Sequence, residues 1–376
     1  MADAGQAGNN KVVVRRSKGQ WLSGAGHHTL GGAWVGMLDV LRSNEALWNM
    51  FVKKEEYDAR ELDEHGRFLY EHSKHRDVMA PSVSRFLIEK GFQPKYPGGK
   101  EFAVCLTHDI DQINPKFGVP FLSIGKRTRQ IVRSLDRHLN PRWNFDDIMD
   151  LESSFDAKST FFFLALNRGE KDFNYYITDM AEEIKDMLRS GWSVGLHCGY
   201  EAFDSLSLLQ NQKHALEQVT GSKVLGCRNH YLRFRTPATW MRLEQAGFAY
   251  DSTFGYKDYV GFRNGMCHPF RPYVEGSGTF LGILEIPLVI MDGTLLDFMG
   301  LGVEKALEMS KKLVDSTMEC KGVMTVLWHN KLLERGDSRK LYEHLLEYCR
   351  GKGAWLTSTD DMCKWWTQND FLGQGA

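Results

Sequence analysis

From residue 102 onwards, short apolar runs alternate with stretches of helical periodicity. Residues 102–107, 159–165, 192–197, 223–228, 248–250, 283–288, 322–328 and 354–357 are nearly continuous in apolar character. Such runs suit strands covered on both faces, as in a parallel sheet, better than strands with one wet face. Between them, the spacing of apolar positions predicts helices over residues 145–156, 176–190, 203–219, 237–247, 301–318 and 337–350, with a last helix after Thr357. Repeated strand–helix units in this number, about seven by count, predict an α/β fold closed into a parallel barrel rather than an open sheet.

The region before the barrel reads differently. Helical periodicity runs through Ala33–Phe51 and again through Pro81–Lys90, and Pro97-Gly98-Gly99 marks a turn before the first strong strand. The expected organisation is a flexible leader at 1–18, a mainly helical N-terminal extension at 19–97, the barrel at 98–370 and a short tail at 371–376. A basic insert at 114–143 interrupts the barrel after its first strand, with Lys116, Lys126, Arg127, Arg129, Arg133, Arg137 and Arg142 against the single acid Asp136. The Gly-rich stretch Gly24–Gly32 lacks both the GK[ST] ending and the preceding strand of a phosphate loop.

Composition narrows the class. The 376 residues carry a formal charge of -1, so no global basic field favours nucleic acid. Seven cysteines without a CxxC pair read as reduced thiols, and the first residues lack an apolar signal core. No run approaches the roughly 20 apolar residues of a membrane-spanning helix. The expected location is cytoplasmic.

The candidate chemistry sits where the apolar runs stop. Residues 103–106 end in Thr107-His108-Asp109-Ile110-Asp111, 193–196 in His197, 223–227 in Arg228-Asn229-His230, and 323–328 in His329. In parallel barrels, catalytic groups collect at the C-terminal ends of strands. Four strand ends delivering ionisable or metal-binding groups therefore point to an enzyme.

These segments, with Tyr250-Asp251-Ser252-Thr253 and Leu327-Trp328-His329-Asn330, follow one another in the order of the five motifs of the polysaccharide deacetylases (NodB homology, carbohydrate esterase family 4). The chain resembles that superfamily over about residues 100–368, in a divergent branch with a THDxD first motif. The resemblance implies a distorted (β/α)7 barrel and a divalent metal, zinc first, with Co²⁺, Ni²⁺, Fe²⁺ or Mn²⁺ as alternatives. It implies Asp109 as catalytic base, Asp111 and His197 as metal ligands, Arg228 as the cation orienting the base, His329 as general acid and Asp251 as the acid supporting it. The second motif departs from the family: Glu201 stands where a second histidine is usual. His230 is the favoured replacement ligand, with Glu201 and His108 as alternatives. Arg233, Asn229, Trp328, Tyr231 and Arg127 are candidate substrate contacts.

The expected activity is metal-dependent removal of an N-acyl group from an amino-sugar-containing intracellular saccharide or sugar precursor, with an N-acetylated or anionic sugar as partner. Hydrolysis of another non-peptide C–N bond in a small metabolite is the alternative, as is a catalytically inactive saccharide-binding barrel.

Overall fold

The computed structural model describes residues 39–113 and 140–369. The leader, the tail and most of the basic insert, including Arg127, lie outside the described residues.

Strands β1 (Ala103–Ile110), β2 (Thr160–Leu164), β3 (Ser193–Cys198), β4 (Gly226–Asn229) and β5 (Tyr250–Asp251) form a parallel ladder in chain order. A small antiparallel hairpin, β6 (Tyr273–Val274) with β7 (Thr279–Phe280), lies apart from it. The parallel ladder continues on one side through β8 (Leu284–Glu285) beside β5, and on the other through β10 (Val323–Leu327) beside β1 and β9 (Leu288–Met291) beside β10. β11 (Trp355–Thr357) pairs with the first half of β1, whereas β2 pairs with its second half. All eight residues of β1 are buried, as their unbroken apolar start requires.

The two ends of the ladder are halves of one run, residues 284–291. Pro287 divides it, because proline has no N–H to give to a ladder. The half before Pro287 pairs with β5 and the half after it with β10. The single strand expected over 283–288 is thus the seventh stave of a distorted barrel, shared between two neighbours.

Helices cover the outside. α3 (Phe145–Ser153), α4 (Ala181–Arg189), α5 (Leu206–Thr220), α6 (Ala238–Gln245) and α7 (Val303–Glu319) lie close to the predicted positions, as do α9 (Gly336–Gly351) and α10 (Thr359–Gln368), whereas the short α8 (Asn330–Leu333) between β10 and α9 was not expected. They follow α1 (Glu45–Phe51) and α2 (Ser82–Glu89) of the extension. Local chemistry sets their ends: the Ser205 side chain accepts from Leu208 N at the start of α5, and Gly221, at φ 68°, closes it.

Between α1 and α2 the extension is largely irregular, since its chain is held by side chains rather than by helix periodicity. Glu56, for example, accepts from Arg263 (2.7 and 2.9 Å) and Thr236 (2.7 Å) of the barrel. Leu41, Phe51, Val52, Val83 and Leu87 belong to the same hydrophobic core as the strands.

Candidate active site

The C-terminal ends of β1, β3, β4, β9 and β10 open into a cavity of about 240 Å³. Asp111, His197 and His230 meet there, all three buried, with one candidate ligand atom each within 4.8 Å of the others. His197 Nδ1 donates to the Arg228 carbonyl (2.9 Å), which leaves the Nε2 lone pair directed into the site. That Nε2 is 2.9 Å from His230 Nδ1 and 3.3 Å from Asp111 Oδ1. Asp111 Oδ1 is buried without a hydrogen-bond donor.

Two imidazole nitrogens and a donor-less carboxylate oxygen converging in a buried space form a donor set suited to a divalent cation. Burial lowers the His230 pKa, outweighing the pull of Asp172, and so favours the neutral ligand form. Burial by itself would raise Asp111, but the Lys331 ammonium at 2.7 Å, then the three imidazoles around it, hold its carboxyl well below the usual range.

Two further acid–base groups flank this trio. Asp109 Oδ1 accepts from Arg228 Nη1 (3.0 Å), and Asp109 Oδ2 is 3.7 Å from His197 Nε2. Arg228 is fully buried and fixed by three more bonds, to Thr107 Oγ1 (2.7 Å), Ser252 O (2.8 Å) and Ser252 Oγ (2.9 Å). On the opposite side, His329 Nε2 lies 3.8 Å from Asp111 Oδ2.

Asp292, at the end of β9, holds His329 twice. Its Oδ1 is 2.7 Å from Nδ1, and its Oδ2 accepts the backbone N–H at 2.7 Å. Burial works against the imidazolium, but Asp292 prevails and the His329 pKa is raised.

The geometry corrects several expectations. The acid beside His329 is Asp292, not Asp251. Asp251 is in register with Glu285 in the β5–β8 ladder, where it accepts from Thr253 Oγ1 (2.6 Å). Burial raises both carboxyls, and Glu285 is pushed further by its neighbour Asp251, so the pair is suited to holding a proton. His108 is not available to a metal, because its ring nitrogens face the Trp328 carbonyl (2.7 Å) and Glu152 (2.8 Å) in the core. Glu201 points away from the cavity, 3.5 Å from Arg233.

The proposed substrate contacts also divide. Tyr231 lines the cavity and donates to Asp172 Oδ2 (3.0 Å). Trp328 is buried against Tyr342 with Nε1 on Ser338 Oγ (3.0 Å), Asn229 is enclosed in the core, and Arg233 is engaged by the His65 and Tyr200 carbonyls.

Asp292 was expected to help shape the pocket, but its pairing with His329 was not foreseen, and neither were the charged cavity residues Arg67, Asp172 and Lys331. Lys331 could have been found, since it follows His329 by two. Arg67 and Asp172 sit in irregular segments with no periodic signal.

No family model matches the chain, and no curated protein does. Solved structures do resemble it. A protein from Mycobacterium smegmatis described as a polysaccharide deacetylase aligns with a TM-score of 0.53 and 20% identity, over 76% of this chain and 96% of its own. The Puue allantoinase gives 0.52 and 17%, over 79% and 98%. A protein from Pseudomonas aeruginosa PAO1, also described as a polysaccharide deacetylase, gives 0.51 and 15%, over 73% and 93%. The chain therefore has the barrel fold shared by these polysaccharide deacetylases and the allantoinase.

Proposed function

We propose that the protein is a metal-dependent hydrolase of a linear amide C–N bond, an N-deacetylase acting on an amino-sugar-containing saccharide or sugar precursor inside the cell. The observation that carries this reading is the placement of two oppositely prepared acid–base groups around one donor trio. Asp109 is held by a cation and His329 by an anion.

Asp111, His197 and His230 would hold the cation, zinc being the expected one, which supplies Lewis acidity for activating water and polarising the amide carbonyl. Asp109 accepts the proton of the attacking water, and Arg228, bonded to its Oδ1, keeps the carboxylate oriented. His329, charged through Asp292, donates from Nε2 to the departing nitrogen as the C–N bond breaks. The products are a carboxylate and a free amine.

Seven free, buried cysteines are consistent with a reducing compartment, and among the described residues no helix is long and apolar enough to cross a membrane. A second reading keeps the same groups and changes the substrate to another non-peptide C–N bond in a small metabolite. The modest cavity favours a small molecule, and an allantoinase shares the fold.

The test is metal analysis of the purified protein together with amine release from a panel of N-acetylated amino sugars, their phosphates and cyclic amides. Chelation should abolish turnover and Zn²⁺ or Co²⁺ should restore it. Asp109→Asn should lower kcat by about 10²–10⁴-fold, the usual range for a general base. Failure of every divalent metal to bind, or full activity in Asp109→Asn, would overturn the proposal.

A further inference from the structure

His230 enters the site from an unusual turn. The two residues after it, Tyr231 (φ 61°) and Leu232 (φ 54°), both adopt the left-handed conformation, which non-glycine residues rarely take and which costs of order 1 kcal/mol or more each. Such a turn persists only where surrounding contacts hold it.

The contact to the backbone of this turn comes from outside the barrel. Arg67 Nη1 donates to the Tyr231 carbonyl at 2.8 Å. Its guanidinium is gripped on the other side by Asp63, with Nε at 2.8 Å and Nη2 at 2.6 Å from Oδ2. Asp63 is itself locked in a tight loop. Its N–H donates to Arg67 O (3.0 Å), its carbonyl accepts from Gly66 N (2.8 Å), and its Oδ1 accepts from the N–H groups of His65 and Arg67 (both 2.9 Å).

A second attachment runs the opposite way. Arg233 Nε donates to His65 O (2.8 Å), while His65 Nδ1 is 2.9 Å from the Tyr200 hydroxyl. Tyr231 is thus fixed at its carbonyl by Arg67 and at its hydroxyl by Asp172, whose Oδ2 is also 3.5 Å from His230 Nε2.

We propose that Arg67, supplied by the N-terminal extension, is a positioning residue of the metal centre: by holding the Tyr231 carbonyl it maintains the left-handed turn that aims His230 at Asp111 and His197. The inference rests on reading those three residues as a metal site. The Asp63 partner fits this role, because a bare guanidinium beside a cation site would repel the cation, and the carboxylate whose Oδ2 faces both Nε and Nη2 neutralises it. Arg67 is buried and lines the cavity, and each of its three nitrogens is engaged by Asp63 or by the Tyr231 carbonyl, so it is assigned a role through His230.

The experiment compares wild type, Arg67→Met and Arg67→Lys as full chains. Zn²⁺ affinity is measured by competition with a chromophoric chelator, Co²⁺ coordination by its visible spectrum, and opening of the turn by hydrogen exchange at residues 231–233. Arg67→Met should weaken Zn²⁺ binding about 10–100-fold, as loss of an outer-shell partner typically does. It should also alter the Co²⁺ spectrum and speed exchange at the turn, while melting stays cooperative. Adding Leu232→Gly, which relieves the left-handed cost, should recover part of the affinity.

Wild-type affinity and spectrum in Arg67→Met would overturn the proposal. If Arg67→Met does not fold, Arg67→Lys decides, since it keeps the charge but not the forked contact: unchanged affinity there refutes the role. If wild type binds no Zn²⁺ or Co²⁺, the metal-site reading fails and this role with it. Exchange at 231–233 unchanged in a variant, with wild type binding metal, refutes Arg67's role alone.

Discussion

Asp292 and Asp251 can be told apart by a pH profile. Asp292 raises the His329 pKa, so in the general-acid role proposed for it His329 would stay protonated above its ordinary range and the alkaline limb of kcat would lie correspondingly high. Removing that charge in Asp292→Asn should move the limb to lower pH and lower kcat, while Asp251→Asn, whose side chain is engaged with Thr253 instead, should leave the limb in place. A limb unmoved by Asp292→Asn would refute the pairing. The same ion pair has a stability consequence of defined sign. A raised folded pKa gives a contribution that is full below the unfolded value of about 6.5 and is lost as pH rises through the folded value. Denaturation of wild type and Asp292→Asn across that window should therefore converge on the alkaline side. Asp109, Asp111, His197, Arg228, His230 and His329 were legible because each directly ends or closely follows an apolar strand. Asp251 was assigned by its place in a motif order, and motif order does not say which of two acids a side chain reaches.

Strand packing makes its own demands. Gly226 opens β4 opposite Tyr250, and a Cβ at that position would meet the Tyr250 ring at 1.8 Å. The ring has no easy retreat, since its hydroxyl lies 2.8 Å from Thr359 Oγ1 and donates to Asp360 Oδ1 at 2.6 Å. Gly226→Ala should then cost about 1–3 kcal/mol or more by overpacking, read as a lowered urea midpoint. A midpoint equal to wild type would mean that α10 gives way more readily than these bonds suggest. The helices and most strands followed from periodicity because each element satisfies its own backbone and buries a regular stripe or run. The division at Pro287 did not follow in full. Proline identifies where ladder bonding must stop, but only closure of the barrel decides that the two halves turn to different neighbours.

For the whole molecule, the link between extension and barrel is partly a buried charge. Arg263 and Glu56 each keep about 3% of their side-chain surface, and the guanidinium also donates to Gly255 O (2.8 Å) and lies 4.4 Å from the Phe254 ring. Glu56→Ala would leave that cation uncompensated, at an expected cost of about 3–5 kcal/mol. Because extension and strands share one core, urea unfolding should remain a single transition at a lower midpoint. A separate early transition of the extension would contradict this. The α/β class, the order of strands and helices and most groups at the strand ends are legible in the chain alone, since these depend on near-neighbour periodicity and on which residues interrupt it. It takes the folded arrangement to turn His108 into the core, to set Asp292 against His329, and to bring Arg67 to Tyr231 from 164 positions away. Those pairings depend on where the closed barrel brings distant backbone segments together, and no local pattern encodes that distance.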